Sequence, residues 1–125
     1  IVFTISTYTG GAHGNVFFDS VTVDTFANRA LSLADDIFIP GADVIATLQP
    51  LVVAQLVEQQ AEFADLEWIN SGTDGLDDYL AWAINAGTLE LFFPPYQVAA
   101  YAAGSFQVSI PVDDLAAVIN PMLLP

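Results

Sequence analysis

The chain has no cysteine and no lysine, and its only basic side chains are Arg29 and His13. The lack of cysteine excludes disulfides, thiol nucleophiles and cysteine-ligated metal sites, but it does not fix the cellular compartment. Without lysine there is no P-loop lysine and no Schiff base. A single histidine is too few for a multi-histidine zinc site, and the G-x-S-x-G motif of serine hydrolases is absent. Most familiar catalytic centres are therefore excluded.

Basic charge is scarce against fifteen acidic residues, which gives a formal net charge of -14. Binding to nucleic acid or to an anionic membrane surface is excluded, because both need clusters of lysine and arginine. A basic protein is the partner that such a charge attracts from a distance. The alternative is that the charge only keeps an apolar chain in solution, since net charge alone says little about function.

Long hydrophobic runs are also missing, although 54% of the 125 residues are hydrophobic. No uninterrupted apolar run approaches the roughly 20 residues that a membrane helix needs, so we predict no membrane insertion by this segment. The length suits one domain over residues 1–125. The apolar content is sufficient for a sizeable core, and we expect Trp82 to lie in it.

The carboxylates are the remaining candidates for chemistry, and three pairs are adjacent in sequence, at residues 35–36, 77–78 and 113–114. Glycosidase chemistry needs two carboxyl groups held across a cleft. Adjacent aspartates point to different faces of a helix or strand, so capping of turns and helices is the simpler role. The oxygen-rich segment 70–78 lacks the spacing of a calcium-binding EF-hand loop. We predict no catalytic residue, no metal site and no cofactor.

The hydrophobic pattern predicts one main helix over residues 43–63, capped by Asp43, with Pro50 kinking it or splitting it in two. Strands are predicted at 1–9, 16–24 (antiparallel to the first), 30–33, 79–84, 89–93 and 106–110. We expect turns at 10–15, 34–38 and 85–88, a loop at 70–78 and a short helix at 113–119. Strands on both sides of one main helix are typical of an α+β fold, with the helix packed on one face of a sheet.

Residues 89–111 form the most informative segment, because Glu90 is the only ionisable carboxylate or base between Ala81 and Val112. Such an apolar segment belongs in a core or an interface. It contains PYQVAAYAAG at 95–104 and VSIP at 108–111. YTGGAHGN at 8–15 and LSLADDIF at 31–38 precede it.

In this order, these motifs make the chain resemble the C-terminal domain of RsiV-type anti-sigma factors over about residues 7–118. A similar domain accompanies the catalytic module of PdaC-type peptidoglycan deacetylases, and a secreted mycobacterial immunogenic protein family is a more distant relative. The resemblance implies a non-catalytic, extracytoplasmic bacterial domain. It also implies a β-grasp-like mixed or antiparallel sheet packed on the main helix, with a short C-terminal helix.

The extracellular region of those anti-sigma factors binds lysozyme, which is a basic protein, so the resemblance implies a similar partner here. Relatives carry an additional N-terminal segment of about a domain's length, and we expect the present chain to lack that half. Pairing with such a half, or with a second copy of the chain, is therefore a further expectation.

We predict a binding or sensor domain of the bacterial envelope that recognises a basic protein through an acidic surface. The alternatives are an accessory peptidoglycan-binding domain of a cell-wall enzyme, and a weak hydrolase that uses paired carboxylates. Trp68 is predicted to be an exposed anchor. Tyr96 and Tyr101 are either interface anchors or cover for a sheet edge, and His13 either makes a pH-sensitive contact or fixes its turn. The acidic surface consists of Glu58, Glu62, Asp65, Glu67, Asp74, Asp77 and Asp78.

Overall fold

The computed structural model describes residues 1–7 and 15–124, without the side chains of residues 6, 7, 15 and 16. His13 and most of the predicted turn at 10–15 lie outside the described residues. The main helices are α1 (Val44–Gln60) and α2 (Leu66–Ser71). The strands are β1 (Val2–Thr7), β2 (Asn15–Ser20), β3 (Val23–Asp24), β4 (Arg29–Ala30), β5 (Ala81–Asn85), β6 (Thr88–Phe93) and β7 (Phe106–Pro111). The predicted α+β class is confirmed.

The central element is an antiparallel sheet in the order β5-β6-β7. Along β6, Leu89, Leu91 and Phe93 are fully buried and alternate with more accessible residues. Since successive strand residues point to opposite faces, this period of two gives the sheet one fully buried face. Val108 and Ile110 of β7 lie opposite Leu91 and Leu89 and extend that face.

Helix α1 contributes the other half of the core with Leu48, Val52 and Leu56, which recur every four residues and are fully buried. Of the two effects predicted for Pro50, a kink or a split, the split is wrong, because α1 runs unbroken from Val44 to Gln60. Pro50 lies on the exposed side. Water can therefore hydrate the carbonyl that the proline leaves without its helical hydrogen bond.

Two glutamines of α1 cover the outer edge of β7, which is an edge strand of the central sheet. The Gln55 amide donates from Nε2 to the Ser109 carbonyl (2.7 Å) and accepts from the Ser109 N–H at Oε1 (3.2 Å). Gln59 donates to the Gln107 carbonyl at 3.0 Å. The unpaired backbone of the strand is thus satisfied by side chains, which also fixes α1 along the sheet.

The β1–β2 hairpin forms a separate antiparallel sheet, and the predicted antiparallel pairing is confirmed. It contacts the central sheet through Ser20, whose hydroxyl accepts from the Trp82 N–H at 2.9 Å. The opposite face of the hairpin carries the exposed side chains of Phe3, Ile5 and Phe17. Trp82 itself is buried in the core, as predicted.

Several predicted boundaries need correction. The strand predicted at 16–24 ends at Ser20, and the one predicted at 30–33 is only the pair Arg29–Ala30. The turn predicted at 34–38 is a π-helical turn, Leu33–Ile37, which is braced by an ion pair between Arg29 and Asp36. The long hydrogen-bonded turn forms because Ser32 caps it at Asp35 and its two apolar ends are buried.

The C-terminal helix predicted at 113–119 is a shorter 3-10 helix, Val112–Leu115. It stops early because the following chain pairs with the segment before α1, where Phe38 and Ile119 form an antiparallel bridge. The strand predicted at 79–84 runs from Ala81 to Asn85. The turn predicted at 85–88 is confirmed and has left-handed φ values at Ala86 and Gly87, as a two-residue hairpin requires.

Candidate functional site

The first half of the acidic surface follows the end of α1 into α2. Glu58 lies on α1, Glu62 on the following 3-10 helix Ala61–Phe63, and Asp65 and Glu67 at the start of α2. All four side chains are exposed. Asp65 is also the N-cap of α2, since its Oδ1 accepts from the Trp68 N–H at 3.1 Å. The end of the main helix thus faces solvent, and it places four carboxylates along one connection.

The second half of the acidic surface is a loop that the sequence predicts at 70–78, although the structure ends α2 at Ser71 and adds a 3-10 helix, Leu76–Asp78. Asp74 and Asp77 are exposed. Asp78 is only half-exposed, and its Oδ2 accepts from the Gly75 N–H at 3.0 Å. Asp78 therefore caps a turn, whereas Asp74 and Asp77 face solvent.

Burial raises the pKa of Asp78, and the neighbouring Asp74 carboxylate adds to this rise. A carboxyl group whose pKa is higher in the folded state binds its proton more tightly there. Its contribution to stability is present below the unfolded pKa of about 3.9 and is lost as the pH rises through the folded value.

We therefore expect an Asp78→Asn variant to gain stability relative to the original protein as the pH rises from about 3 to about 6. The stability difference between the two proteins at low pH reflects the altered hydrogen bond to Gly75. The change in that difference with pH reflects the carboxyl group. Thermal unfolding of both proteins at several pH values measures the stability difference. A difference that is constant with pH would show that the Asp78 pKa is not raised.

A buried polar network connects α2 with the segments that follow it and precede β5. The Tyr79 hydroxyl donates to the Thr73 carbonyl at 2.7 Å, and the Thr73 hydroxyl donates to the Ile69 carbonyl at 2.8 Å. Burial also raises the pKa of Tyr79, so the phenol remains protonated. The network has a structural role, because each of these groups is satisfied within the protein.

Between α1, α2 and the chain before β7 is a groove of about 570 Å³. Aromatic and small apolar residues form most of its lining, and Asp65 is the one carboxylate among the lining residues. We refer to it as the groove, and its lining consists of Gln59, Gln60, Phe63, Asp65, Trp68, Ala99, Ala100, Ala102, Ala103 and Phe106. Glycosidase chemistry needs two carboxyl groups across a cleft, and the lining of the groove contains one.

Trp68 is half-buried in the wall of the groove, whereas the sequence predicts an exposed anchor. The reason is that its indole Nε1 donates to the Tyr96 carbonyl at 2.8 Å. Tyr96 itself has a left-handed φ of 78°. The rings of Tyr96 and Tyr101 contact each other with centroids 5.2 Å apart. The two tyrosines therefore pack together, and the backbone of one of them positions Trp68.

The sequence predicts the acidic surface and Trp68 but not the groove. Phe63 is 83% exposed on the 3-10 helix that follows α1. A phenylalanine among several acidic residues was the sequence signal that could have indicated the groove. The alanines at 99–103 read as a compact apolar segment, and their place opposite α2 depends on tertiary contacts. Among the described residues, no group of three histidine, cysteine or acidic side chains is placed to hold a metal ion. Within the same residues, no helix has the length and apolarity to cross a membrane.

These features define a small α+β domain with an apolar groove next to an acidic surface. The family described as "Protein of unknown function (DUF3298)" matches residues 35–113, so the chain belongs to the DUF3298 family. Over 111 residues it is 32% identical to the peptidoglycan-N-acetylmuramic acid deacetylase PdaC of Bacillus subtilis (strain 168), covering 88% of this chain and 24% of that protein.

Two solved structures of DUF3298 proteins share the fold. A member from Bacteroides fragilis NCTC 9343 superposes with a TM-score of 0.72 at 24% identity, over 98% of this chain and 49% of that one. A member from Pseudomonas aeruginosa PAO1 superposes with a TM-score of 0.70 at 24% identity, over 99% of this chain and 56% of that one. The chain thus spans about a quarter of PdaC and about half of each structural relative. The predicted kinship with the domain of PdaC-type deacetylases is confirmed, whereas kinship with RsiV-type anti-sigma factors stays a prediction.

Proposed function

We propose that this protein is a non-enzymatic binding domain of the bacterial cell envelope, located outside the cytoplasm, and that it recognises a basic protein such as lysozyme through its acidic surface. One observation carries the proposal: exposed carboxylates at Glu58, Glu62, Asp65 and Glu67 lie along a connection that also borders an apolar groove. Charge can steer a basic partner to this face, and the groove offers apolar area for contact.

The acidic surface has no cation of its own to neutralise it among the described residues. Arg29 is the only lysine or arginine in the sequence, and it is paired with Asp36 at the π-helical turn. In the described part of the chain, no salt bridge is formed to Glu58, Glu62, Asp65 or Glu67. The acidic surface is therefore available for a cationic partner.

The proposal is tested by calorimetric titration of the domain with lysozyme at about 10 mM and at about 150 mM salt, where the screening length falls from about 30 to 8 Å. We expect binding at low salt and at least a tenfold weaker affinity at the higher salt. The lack of any binding at low salt would overturn lysozyme as the partner. An affinity that does not change with salt would overturn the electrostatic mechanism.

An accessory role in a cell-wall enzyme is the second candidate function. It is favoured by the 32% identity to PdaC, whose name assigns it to the deacetylation of peptidoglycan. In this role the domain binds peptidoglycan and positions a catalytic module. Co-sedimentation of the domain with insoluble peptidoglycan tests this role. Domain that stays in the peptidoglycan pellet at high salt supports glycan binding, and full recovery of the domain in the supernatant contradicts glycan binding.

We further propose that the exposed face of the β1–β2 hairpin, with Phe3, Ile5 and Phe17, is where pairing with a second copy or another domain would occur. Exposed apolar side chains that share one sheet face are common at such contacts. Sedimentation equilibrium of the domain alone tests self-association, and a monomer at high concentration would exclude the second copy.

A further inference from the structure

We propose that the groove is the docking pocket for an arginine side chain of the basic partner. The inference rests on the proposed function, because it assumes that the partner is basic, and it adds which chemical group enters and where. It follows from three properties of the groove: its aromatic walls, the orientation of its polar side chains, and its size.

The aromatic residues of the groove suit a planar cation. Trp68 forms one wall, and the exposed ring of Phe63 lies at the rim. A guanidinium group stacks on the face of tryptophan through cation–π attraction and is more weakly hydrated than an ammonium group. The bond from the Trp68 indole to the Tyr96 carbonyl holds the ring in place before the partner arrives. Such preorganisation lowers the entropy lost on binding.

The polar side chains of the groove use hydrogen-bond donors within the protein. The amide nitrogens of Gln59 and Gln60 donate to the carbonyls of Gln107 (3.0 Å) and Val98 (3.2 Å). Each amide therefore turns its nitrogen to the protein backbone. Asp65 uses Oδ1 to cap α2, but a carboxylate has about four lone-pair sites and retains acceptor capacity.

A ligand that supplies hydrogen-bond donors suits such a lining. A guanidinium group has five N–H donors and no acceptor, whereas a sugar hydroxyl has one donor beside two acceptor lone pairs. The acidic side chains of Glu62 and Glu67 beside the groove favour the same charge. The chemistry of the groove therefore points to arginine rather than to a neutral glycan.

The groove is large enough for one side chain of the partner together with the partner residues that flank it. A volume of about 570 Å³ lies within the range of roughly 300–1,000 Å³ that is typical of ligand pockets. The alanines at 99–103 leave this space open, and Ala102 is exposed. A larger side chain at Ala102 would fill the groove without disturbing the core, which provides a variant for the test.

The test follows the indole N–H resonance of Trp68 by NMR, assigned with a Trp68→Phe variant, during titration with a capped Ala-Arg-Ala peptide. We expect this resonance to shift and saturate, and the isosteric neutral citrulline peptide to leave it unchanged. Asp65→Asn, which retains the helix cap, should weaken binding about fivefold, and Ala102→Phe should abolish it. Glu58→Gln removes the same charge outside the lining and should have less effect.

The outcomes separate this inference from the proposed function. If lysozyme binds but the Trp68 resonance does not move with the arginine peptide, the docking pocket is wrong and the proposed function stands. If the peptide binds but lysozyme does not, the pocket stands without lysozyme as the partner. An equal response to a capped Ala-Lys-Ala peptide would overturn the selectivity for arginine.

Discussion

Replacing Gly72 with alanine is expected to lower the free energy of unfolding by about 3 kcal/mol or more, at the upper end of what overpacking causes. A Cβ atom at this position would lie 2.1 Å from the carbonyl oxygen of Gln97 and 3.0 Å from its carbonyl carbon. Both are backbone atoms, so a change of rotamer does not relieve the clash. The measurement is the urea midpoint of the variant against that of the original protein.

The segment around Gln97 would have to move, and two hydrogen bonds hold it in place. The Gln97 side chain donates to the carbonyls of Gly72 (3.0 Å) and Asp78 (2.6 Å). Moving residue 97 away from Gly72 therefore breaks these bonds and displaces Val98, which is buried in the core. The chain continues from here into residues 99–103 of the groove, so the same substitution should also weaken binding there.

Gly75→Ala is the matched control, because it adds the same methyl group three residues away. Its Cβ would meet only the Asp78 carboxylate, at an ordinary distance of 3.9 Å, and the backbone φ of -140° is open to alanine. We expect a change within about 0.5 kcal/mol. Equal urea midpoints for the two variants would contradict the close approach of residues 72 and 97.

The parts of the fold that the sequence predicts are those with a strong local period. Leu89, Leu91 and Phe93 alternate along β6, and Leu48 and Val52 recur along α1, so the buried face of each element is identifiable from its spacing of apolar residues. The Ala86-Gly87 turn is also local, since Gly87 tolerates the left-handed backbone that the hairpin needs. These elements account for most of the core.

The parts of the fold and of the candidate site that the sequence does not predict depend on contacts between distant segments. Helix α2 has only six residues, too few for a helical period, and its cap at Asp65 reads equally as part of an acidic loop. The polar Gln55 interrupts the apolar pattern of α1, and its reason becomes visible only when Ser109 of the edge strand lies beside it. The groove is missed for the same reason, because its walls come from three segments.

Reversing two charges of the acidic surface is expected to produce the second large effect. Glu62→Lys combined with Glu67→Lys should weaken lysozyme binding by about 2 kcal/mol, or about 30-fold in Kd at low salt, because attraction becomes like-charge repulsion. Both side chains are exposed, so the domain should retain its fold. Calorimetry at low salt measures the affinity, with thermal unfolding as the check on folding.

The control is a second double variant, Asp113→Lys with Asp114→Lys, which changes the net charge by the same amount. These aspartates are exposed and follow the C-terminal end of β7, whereas the last turn of α1 contacts the start of that strand, where Gln59 bonds to Gln107. We expect their reversal to weaken binding several-fold less. Equal losses in the two variants would mean that net charge alone attracts lysozyme and that no particular surface is recognised.

Amide hydrogen exchange at low salt can map where lysozyme contacts the domain. We expect slower exchange on binding in residues 58–78 and in residues 99–106, which together carry the acidic surface and the groove. Exchange at the β1–β2 hairpin should remain unchanged. Protection confined to the hairpin, or no change anywhere in the domain, would contradict this expectation.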